Sequence, residues 1–241
     1  MAGSSLNPFD GIDVGLSPKA MCFNMDADQD IDCLFGNADG TFKYFKNTRC
    51  NPTCSDVKVT KPTFTAATSP FDGIDVGNNA APFCFNIAGG NNNMDFECIV
   101  GNADGKIYYY RNTAGTPVAP VYVRSTDAEN LFNGVDVGSF AAPTCFDVDG
   151  DMDYDCFVGN GDGVIKAFMN IGSFASPVYN ETIGADNPFS AVDVGSKASM
   201  TCIDMDSDGD IDCLIGNSEG KILYFKKLQF LSYLDMHVVL K

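Results

Sequence analysis

The sequence contains one histidine, His237, and no tryptophan. A Ser/His or Cys/His catalytic device needs a histidine beside its nucleophile, and this one lies close to the end of the chain. No catalytic residues are therefore expected. Without tryptophan, stacking on sugars would fall to tyrosines such as Tyr108 and Tyr110, which leaves a carbohydrate-binding function with little support.

Basic residues are also scarce: 15 Lys and Arg stand against 32 Asp and Glu, which gives a formal net charge of -17. An acidic surface repels nucleic-acid backbones and anionic membranes, so neither is an expected partner. No apolar run reaches the roughly 18 residues of a membrane span, and Met1 to Pro8 has no signal-peptide hydrophobic region.

Helical periodicity is absent, and the sequence is instead built from four similar repeats. Gly11-Ile12-Asp13-Val14-Gly15 recurs at 73–77 and, with changes, at 134–138 and 191–195. After it, each repeat has two strand-like segments that flank a polar loop, then a Gly-Asn turn and a third strand. A short fourth strand follows the third in the first three repeats. Four antiparallel strands in roughly 60 residues are typical of one propeller blade. The sequence predicts an all-β protein, a single β-propeller-type domain over 1–241 with blades at about 7–66, 67–124, 125–182 and 183–241.

Acidic loops join the first two strands of three repeats, at 24–32 (loop 1), 147–155 (loop 3) and 204–212 (loop 4). Loop 4 has carboxylates at positions 1, 3, 5 and 9 and a glycine at position 6, a spacing that wraps a chain around one Ca²⁺. An EF-hand is excluded because Ile215 stands at position 12 and a strand follows. The predicted ligands are Asn24, Asp26, Asp28, Asp30 and Asp32; Asp147, Asp149, Asp151, Asp153 and Asp155; and Asp204, Asp206, Asp208, Asp210 and Asp212. The alternative is a set of solvated acidic hairpins.

The loops differ in how closely they match the calcium-binding pattern of loop 4. Gln29 and Met152 occupy the position of Gly209, where a side chain strains the sharp turn. The corresponding segment of the second repeat, 86–97 (loop 2), keeps only Asn86, Asp95 and Glu97, so we expect it to bind metal weakly or not at all. About three Ca²⁺ ions are predicted, which would bring the formal charge to about -11.

Ten cysteines accompany these loops. They fall as Cys22/Cys33, Cys84/Cys98, Cys145/Cys156 and Cys202/Cys213, each pair flanking one loop, and as Cys50/Cys54. Cysteines that face each other across antiparallel strands are close enough for a disulfide, which predicts an extracellular, secretory or other oxidising location. Cysteine as a small core residue is the alternative. Because no signal peptide is seen, we expect a mature form, a fragment or an incomplete gene product.

Asp-x-Asp-x-Asp-Gly-x-x-Asp, followed by a strand and Gly-Asn-x-x-Gly, resembles the FG-GAP/VCBS repeat of integrin α-chain-type β-propellers. The resemblance covers residues 7 to about 226 and implies Ca²⁺ in the loop between the first two strands of a blade. Such propellers usually have seven blades. Four repeats predict a closed four-bladed ring, an open arc, or part of a ring that other chains complete.

Asp13, Asp75, Asp136 and Asp193 recur once per blade. They either bond backbone amides in their turns or form a ligand-facing rim. The segment 226–241 departs from the repeat and is either the fourth strand of blade 4 or a docking tail. Asn180-Glu181-Thr182 matches a glycosylation acceptor.

The function expected from the sequence is a non-catalytic Ca²⁺-binding propeller that serves protein interaction, adhesion or a structural role, with an unidentified protein or glycan ligand and possible oligomerisation. The alternatives are a lectin-like propeller and an accessory propeller of an enzyme whose catalytic part lies outside this chain.

Overall fold

The structure is a computed structural model that describes residues 7–28, 30–48, 62–87, 95–114 and 119–227, and the backbone of 236–238. The described residues form sixteen strands in four four-stranded antiparallel sheets, each with its strands in chain order. The strands are β1 Lys19–Phe23, β2 Asp32–Gly36, β3 Phe42–Asn47, β4 Phe64–Ala67, β5 Ala81–Phe85, β6 Glu97–Gly101, β7 Ile107–Asn112, β8 Tyr122–Arg124, β9 Ala142–Phe146, β10 Asp155–Gly159, β11 Ile165–Asn170, β12 Tyr179–Thr182, β13 Ser199–Ile203, β14 Asp212–Gly216, β15 Ile222–Lys227 and β16 Met236–Val238. A single short 3₁₀ turn, Gly184–Asp186, is the only helical element among the described residues, and none of them forms a helix that could cross a membrane.

The first strands β1, β5, β9 and β13 line one central channel, with a cavity of about 380 Å³ between them. The four sheets are thus arranged about a common axis as the blades of a β-propeller. The predicted fold class, all-β with four four-stranded antiparallel blades, is confirmed.

Local sequence explains why each blade forms. The Gly-Asn turns supply residues that tolerate a left-handed backbone: Gly40 has φ +82° and closes the hairpin between β2 and β3. The third and fourth strands begin later than the sequence pattern indicates. In blade 2, the fourth strand was expected from Pro120 and begins at Tyr122, because proline has no N–H and the N–H of Val121 bonds to the Asn112 side chain at 3.2 Å.

In the segment that departs from the repeat, Met236–Val238 pairs with β15 as the fourth strand of blade 4. This outcome favours the strand interpretation over a docking tail for these three residues. Residues 228–235 and 239–241 lie outside the described part of the chain.

The hydrophobic core consists of three clusters, one between each pair of consecutive blades. Between blades 1 and 2, Phe71 is 1% exposed and packs on Phe42 at 4.9 Å and on Tyr122 at 4.3 Å between ring centroids. Phe132 and Phe189 occupy the same place in the next two clusters. One buried phenylalanine thus lies at the centre of each of these three junctions.

Four disulfides join the first two strands of the blades: Cys22–Cys33, Cys84–Cys98, Cys145–Cys156 and Cys202–Cys213. Each pair is directly opposite in the strand register, with Cα atoms 4.0 to 4.2 Å apart. These pairings confirm the prediction and indicate an oxidising environment. Cys50 and Cys54 lie outside the described residues.

Candidate metal centres

Loops 3 and 4 fold around the carboxylate at their first position. Asp147 accepts the N–H groups of Gly150 at 2.6 Å and Met152 at 3.0 Å. Asp204 likewise accepts the N–H groups of Asp208 at 3.2 Å and Gly209 at 3.1 Å. The first aspartate therefore organises the turn that follows it.

Each acidic loop also contains left-handed residues. In loop 3, Gly150 and Met152 have φ +82° and +72°, and in loop 4, Ser207 and Gly209 have +62° and +91°. Met152 adopts the conformation for which glycine is preferred, as expected from its position, and its side chain is 83% exposed. The turn thus forms in loop 3 without glycine at position 6.

Three carboxylates converge at positions 1, 3 and 5 of loops 3 and 4. One oxygen from each of Asp147, Asp149 and Asp151 lies within 4.8 Å of the others, and Asp204, Asp206 and Asp208 form the same arrangement. Oxygen atoms at this spacing can coordinate one cation with modest adjustment, since Ca²⁺ takes oxygens at 2.3 to 2.6 Å. In loop 1, no such group of three acids occurs among the described residues.

The aspartate at position 9 is buried and joins each loop to the third strand. Asp32, Asp155 and Asp212 are 0%, 1% and 0% exposed. One oxygen of each accepts a backbone N–H of the third strand, at 2.8 Å from Asn47, 2.8 Å from Asn170 and 3.1 Å from Lys227. The tyrosine hydroxyls of Tyr44 and Tyr224 donate to the second oxygen of Asp32 and Asp212, at 2.9 and 2.8 Å. These three predicted ligands therefore accept hydrogen bonds that fix the loop to the third strand. The spacing in the sequence did not indicate this structural role.

A lysine that the sequence pattern did not reveal distinguishes loops 1 and 4 from loop 3. The fifth residue of the third strand is lysine in blades 1 and 4, and its ammonium group lies among the loop carboxylates. Lys46 pairs with Asp26 and, at 3.3 Å, with Asp28. Lys226 pairs with Asp206 and, at 3.2 Å, with Asp208. In both lysines, hydrogen bonds to these aspartates raise the pKa, so each remains charged.

Blade 3 has Met169 at this position, so loop 3 receives no cation from its own third strand. Burial raises the pKa of Asp155 to about 7, although the N–H of Asn170 opposes this, and burial also raises the pKa of Asp149 and Asp153. Asp153 is 6% exposed, and its Oδ1 is buried without a hydrogen-bond partner among the described residues. The ammonium group of Lys227, in blade 4, donates to the backbone carbonyl of Val148 at 3.0 Å. None of the ion pairs among the described residues includes a carboxylate of loop 3.

Loop 2 is described only at its ends. Glu97 and Asp95 are 5% and 7% exposed, and Glu97 accepts the N–H of Ile87 at 3.2 Å. Residues 88–94 lie outside the described part of the chain, so weak or absent metal binding at this loop stays a prediction.

Each recurring aspartate outside the acidic loops accepts a hydrogen bond within its own turn. Asp13, Asp75, Asp136 and Asp193 each accept the N–H of the glycine two residues later, at 2.8 to 2.9 Å. All four are exposed. The structure favours the turn-forming interpretation of this pattern over the ligand-facing rim.

The tyrosines considered for sugar stacking are not available as a pair. Tyr110 is 2% exposed, and the guanidinium of Arg124 covers the Tyr108 ring at 3.9 Å from its centroid. The expectation that Tyr110 stacks on a sugar is therefore wrong, because its ring packs between blades 1 and 2. Asn180 of the glycosylation acceptor is exposed on the outer strand β12.

No protein-family model matches the chain, and no curated protein matches it. Two similar solved structures are both crystals of BBS1N in complex with ARL6DN. The lead-soaked crystal has 13% identity and a TM-score of 0.40 and covers 96% of this chain and 57% of that chain. The mercury-soaked crystal has 13% identity and a TM-score of 0.42 and covers 98% of this chain and 60% of that chain. This chain thus spans less than two thirds of either BBS1N chain, and likeness at this level carries no inference about function.

Proposed function

We propose that this protein is a Ca²⁺-stabilised β-propeller of the FG-GAP/VCBS type that presents rigid surfaces to a protein partner, in an adhesion or structural role in an extracellular or secretory compartment. Three acidic loops at equivalent places in three blades would bind the ions. Their role is to stabilise the propeller, with no catalytic step assigned to them.

The observation that carries this proposal is loop 3. Three carboxylates converge there, the buried Asp153 Oδ1 has no hydrogen-bond partner among the described residues, and Met169 supplies no counter-charge. Several carboxylates held this close repel one another in the absence of a cation. A divalent ion would relieve this repulsion and use oxygen ligands that are already in place.

Calcium is favoured over other metals by the ligand chemistry. Carboxylate and carbonyl oxygens suit hard cations, and the eight cysteines in the described part of the chain, which a soft metal would need, are held in disulfides. A turn of nine residues with several carboxylates also suits the larger and more flexible coordination shell of Ca²⁺ better than the strict octahedron of Mg²⁺.

The test is calorimetric titration of the EDTA-treated protein with Ca²⁺, combined with thermal melts. We expect binding, and a melting temperature that rises with Ca²⁺ concentration because the ion binds the folded state. Asp149→Asn should remove one binding event. Asp162→Asn changes an exposed aspartate in a turn of the same blade and should change neither property. A protein that binds no Ca²⁺ and melts identically in EDTA would contradict the proposal.

A further inference from the structure

Three junctions between consecutive blades are built alike. We call the side of a blade that faces the next blade in the chain its trailing face and the side that faces the previous blade its leading face. At every junction, a valine N–H of one blade donates to the turn glycine of the blade before it. These bonds are Val76 to Gly40 at 3.2 Å, Val137 to Gly105 at 3.0 Å and Val194 to Gly163 at 2.9 Å. Nearby, Asn79, Phe140 and Lys197 donate to Ala38, Ala103 and Gly161, each at 3.0 Å.

The junction between blade 4 and blade 1 is not formed in this way. Among the described residues, no backbone hydrogen bond joins the blade 4 turn at 216–220 to the segment 13–18 of blade 1. A Cβ added at Gly40 would meet the Gly77 carbonyl oxygen of the next blade at 1.5 Å, whereas at Gly220 it would meet nothing within 4 Å. The trailing face of blade 4 is therefore not packed against the leading face of blade 1.

Side chains that are buried at the other junctions are exposed on the trailing face of blade 4. Ile203, Met205 and Ile222 are 59%, 45% and 68% exposed. Their equivalents in blade 1, namely Phe23, Met25 and Phe42, are 8%, 3% and 8% exposed. The third strands of blades 2 and 3 begin with Ile107 and Ile165 at 2% and 3%.

The leading face of blade 1 shows the complementary pattern. Ile31 is 51% exposed, and its counterparts in blades 2 and 3 are Phe96 and Tyr154. Phe96 packs on Phe23 at 5.1 Å and Tyr154 packs on Phe85 at 5.2 Å, each across a junction. Ile31 is therefore the residue that would meet Ile203 if the same contact were made between blade 4 and blade 1.

The backbone of blade 1 already has the conformation that a junction needs. Ser17 has φ +47°, close to the +57°, +49° and +50° of Asn79, Phe140 and Lys197. Asp13 accepts the N–H of Gly15 at 2.8 Å as in the other three turns. One junction bond is lost by sequence, because Pro18 stands where Ala80, Ala141 and Ala198 each donate an N–H.

We propose that these two faces form an interface between two copies of this chain, in which the trailing face of blade 4 docks on the leading face of blade 1 of a second copy. Both halves of the contact are present on every chain, and the chain itself makes the same contact three times. Two copies arranged head to tail would form two identical junctions and close into one ring of eight blades. Exposed apolar side chains on opposing faces would then be buried, as they are at the internal junctions.

The test is the mass of the protein in solution by light scattering and sedimentation across a range of concentrations, in Ca²⁺ and without reductant. We expect a species of twice the 25.8 kDa chain mass. Ile222→Lys on the trailing face and Ile31→Lys on the leading face should each convert it to single chains with an unchanged circular dichroism spectrum. Ile183→Lys is the matched control, since Ile183 is 78% exposed and lies on neither face.

Mixing the two variants distinguishes this arrangement from any other dimer. The leading face of the Ile222→Lys chain and the trailing face of the Ile31→Lys chain are both intact, so a 1:1 mixture should regain one junction and the doubled mass. A single-chain mass at every concentration would overturn the proposal. It would also be overturned by a dimer that both variants leave intact, or by two variants that fail to associate when mixed.

Discussion

Replacing Lys46 by methionine is expected to raise the Ca²⁺ affinity of loop 1, because it removes an ammonium group that competes for the loop carboxylates. Lys46 pairs with both Asp26 and Asp28, and the side chains of the three residues are 25%, 13% and 14% exposed. Partly buried ion pairs at a protein surface, like these two, contribute about 1 kcal/mol each once solvent screening is included. Two such pairs correspond to about 1 to 2 kcal/mol, or roughly a 5- to 30-fold change in affinity.

The design copies blade 3, in which Met169 occupies the same strand position. The reciprocal change, Met169→Lys, should lower the affinity of loop 3 by a similar factor. Lys43→Met is the control, because Lys43 lies in the same strand but donates to the backbone of Asp13 at 3.2 Å, away from the loop. Calorimetric titration of the wild type and the three variants gives the affinities.

Melting curves separate metal competition from a purely structural role of the lysine. If loop 1 binds Ca²⁺, Lys46→Met should melt at a lower temperature than the wild type in EDTA and gain more from added Ca²⁺. A variant that loses the same stability in EDTA and in Ca²⁺, with no change in affinity, would refute the competition.

Three further predictions concern stability. Burial raises the pKa of Asp155 from its ordinary 3.8 to about 7. Between these two pH values, the carboxyl group is protonated in the folded metal-free protein and ionised in the unfolded chain. The stability of the metal-free protein should therefore fall by up to roughly 4 kcal/mol as the pH rises from about 4 through 7, and urea melts in EDTA at several pH values would detect this; Asp155→Asn should flatten the profile. Phe71→Ala should cost about 3 to 5 kcal/mol in urea unfolding, since it empties the centre of the first junction, and a cost below 1 kcal/mol would show that the ring is not packed there. Replacing both Cys202 and Cys213 by alanine should cost about 2 to 3 kcal/mol, and equal stability with and without this bridge would mean that it does not restrain the unfolded chain.

The sequence sufficed for the blade architecture because its signals are local and repeated. Turn residues at fixed positions and strand segments between them define each hairpin, and Cys145 and Cys156 lie opposite each other once the strands pair. The repeat period then gives the blade count without any long-range information.

What the sequence did not reveal depends on contacts between segments far apart in the chain. Lys46 lies 20 residues from Asp26, and its place among the loop carboxylates follows only from the twist and register of the third strand. The burial of Tyr110 was missed for a related reason, since which face of β7 points toward the preceding blade cannot be read from alternation alone. The difference between the three formed junctions and the one between blades 4 and 1 likewise depends on long-range contacts, because the residues on both sides follow the repeat pattern except at Pro18.

The four disulfides differ in their accessibility to reagents in solution. All four lie on leading faces, so the preceding blade covers Cys84, Cys145 and their partners, while Cys22 is exposed at the start of the series. In a single chain, a thiol reductant should therefore attack the Cys22–Cys33 bridge first, since exchange requires access to a sulfur atom; a second copy docked on blade 1 would protect it. The order of chemical reduction along the chain thereby becomes a readout of which blades have a neighbour.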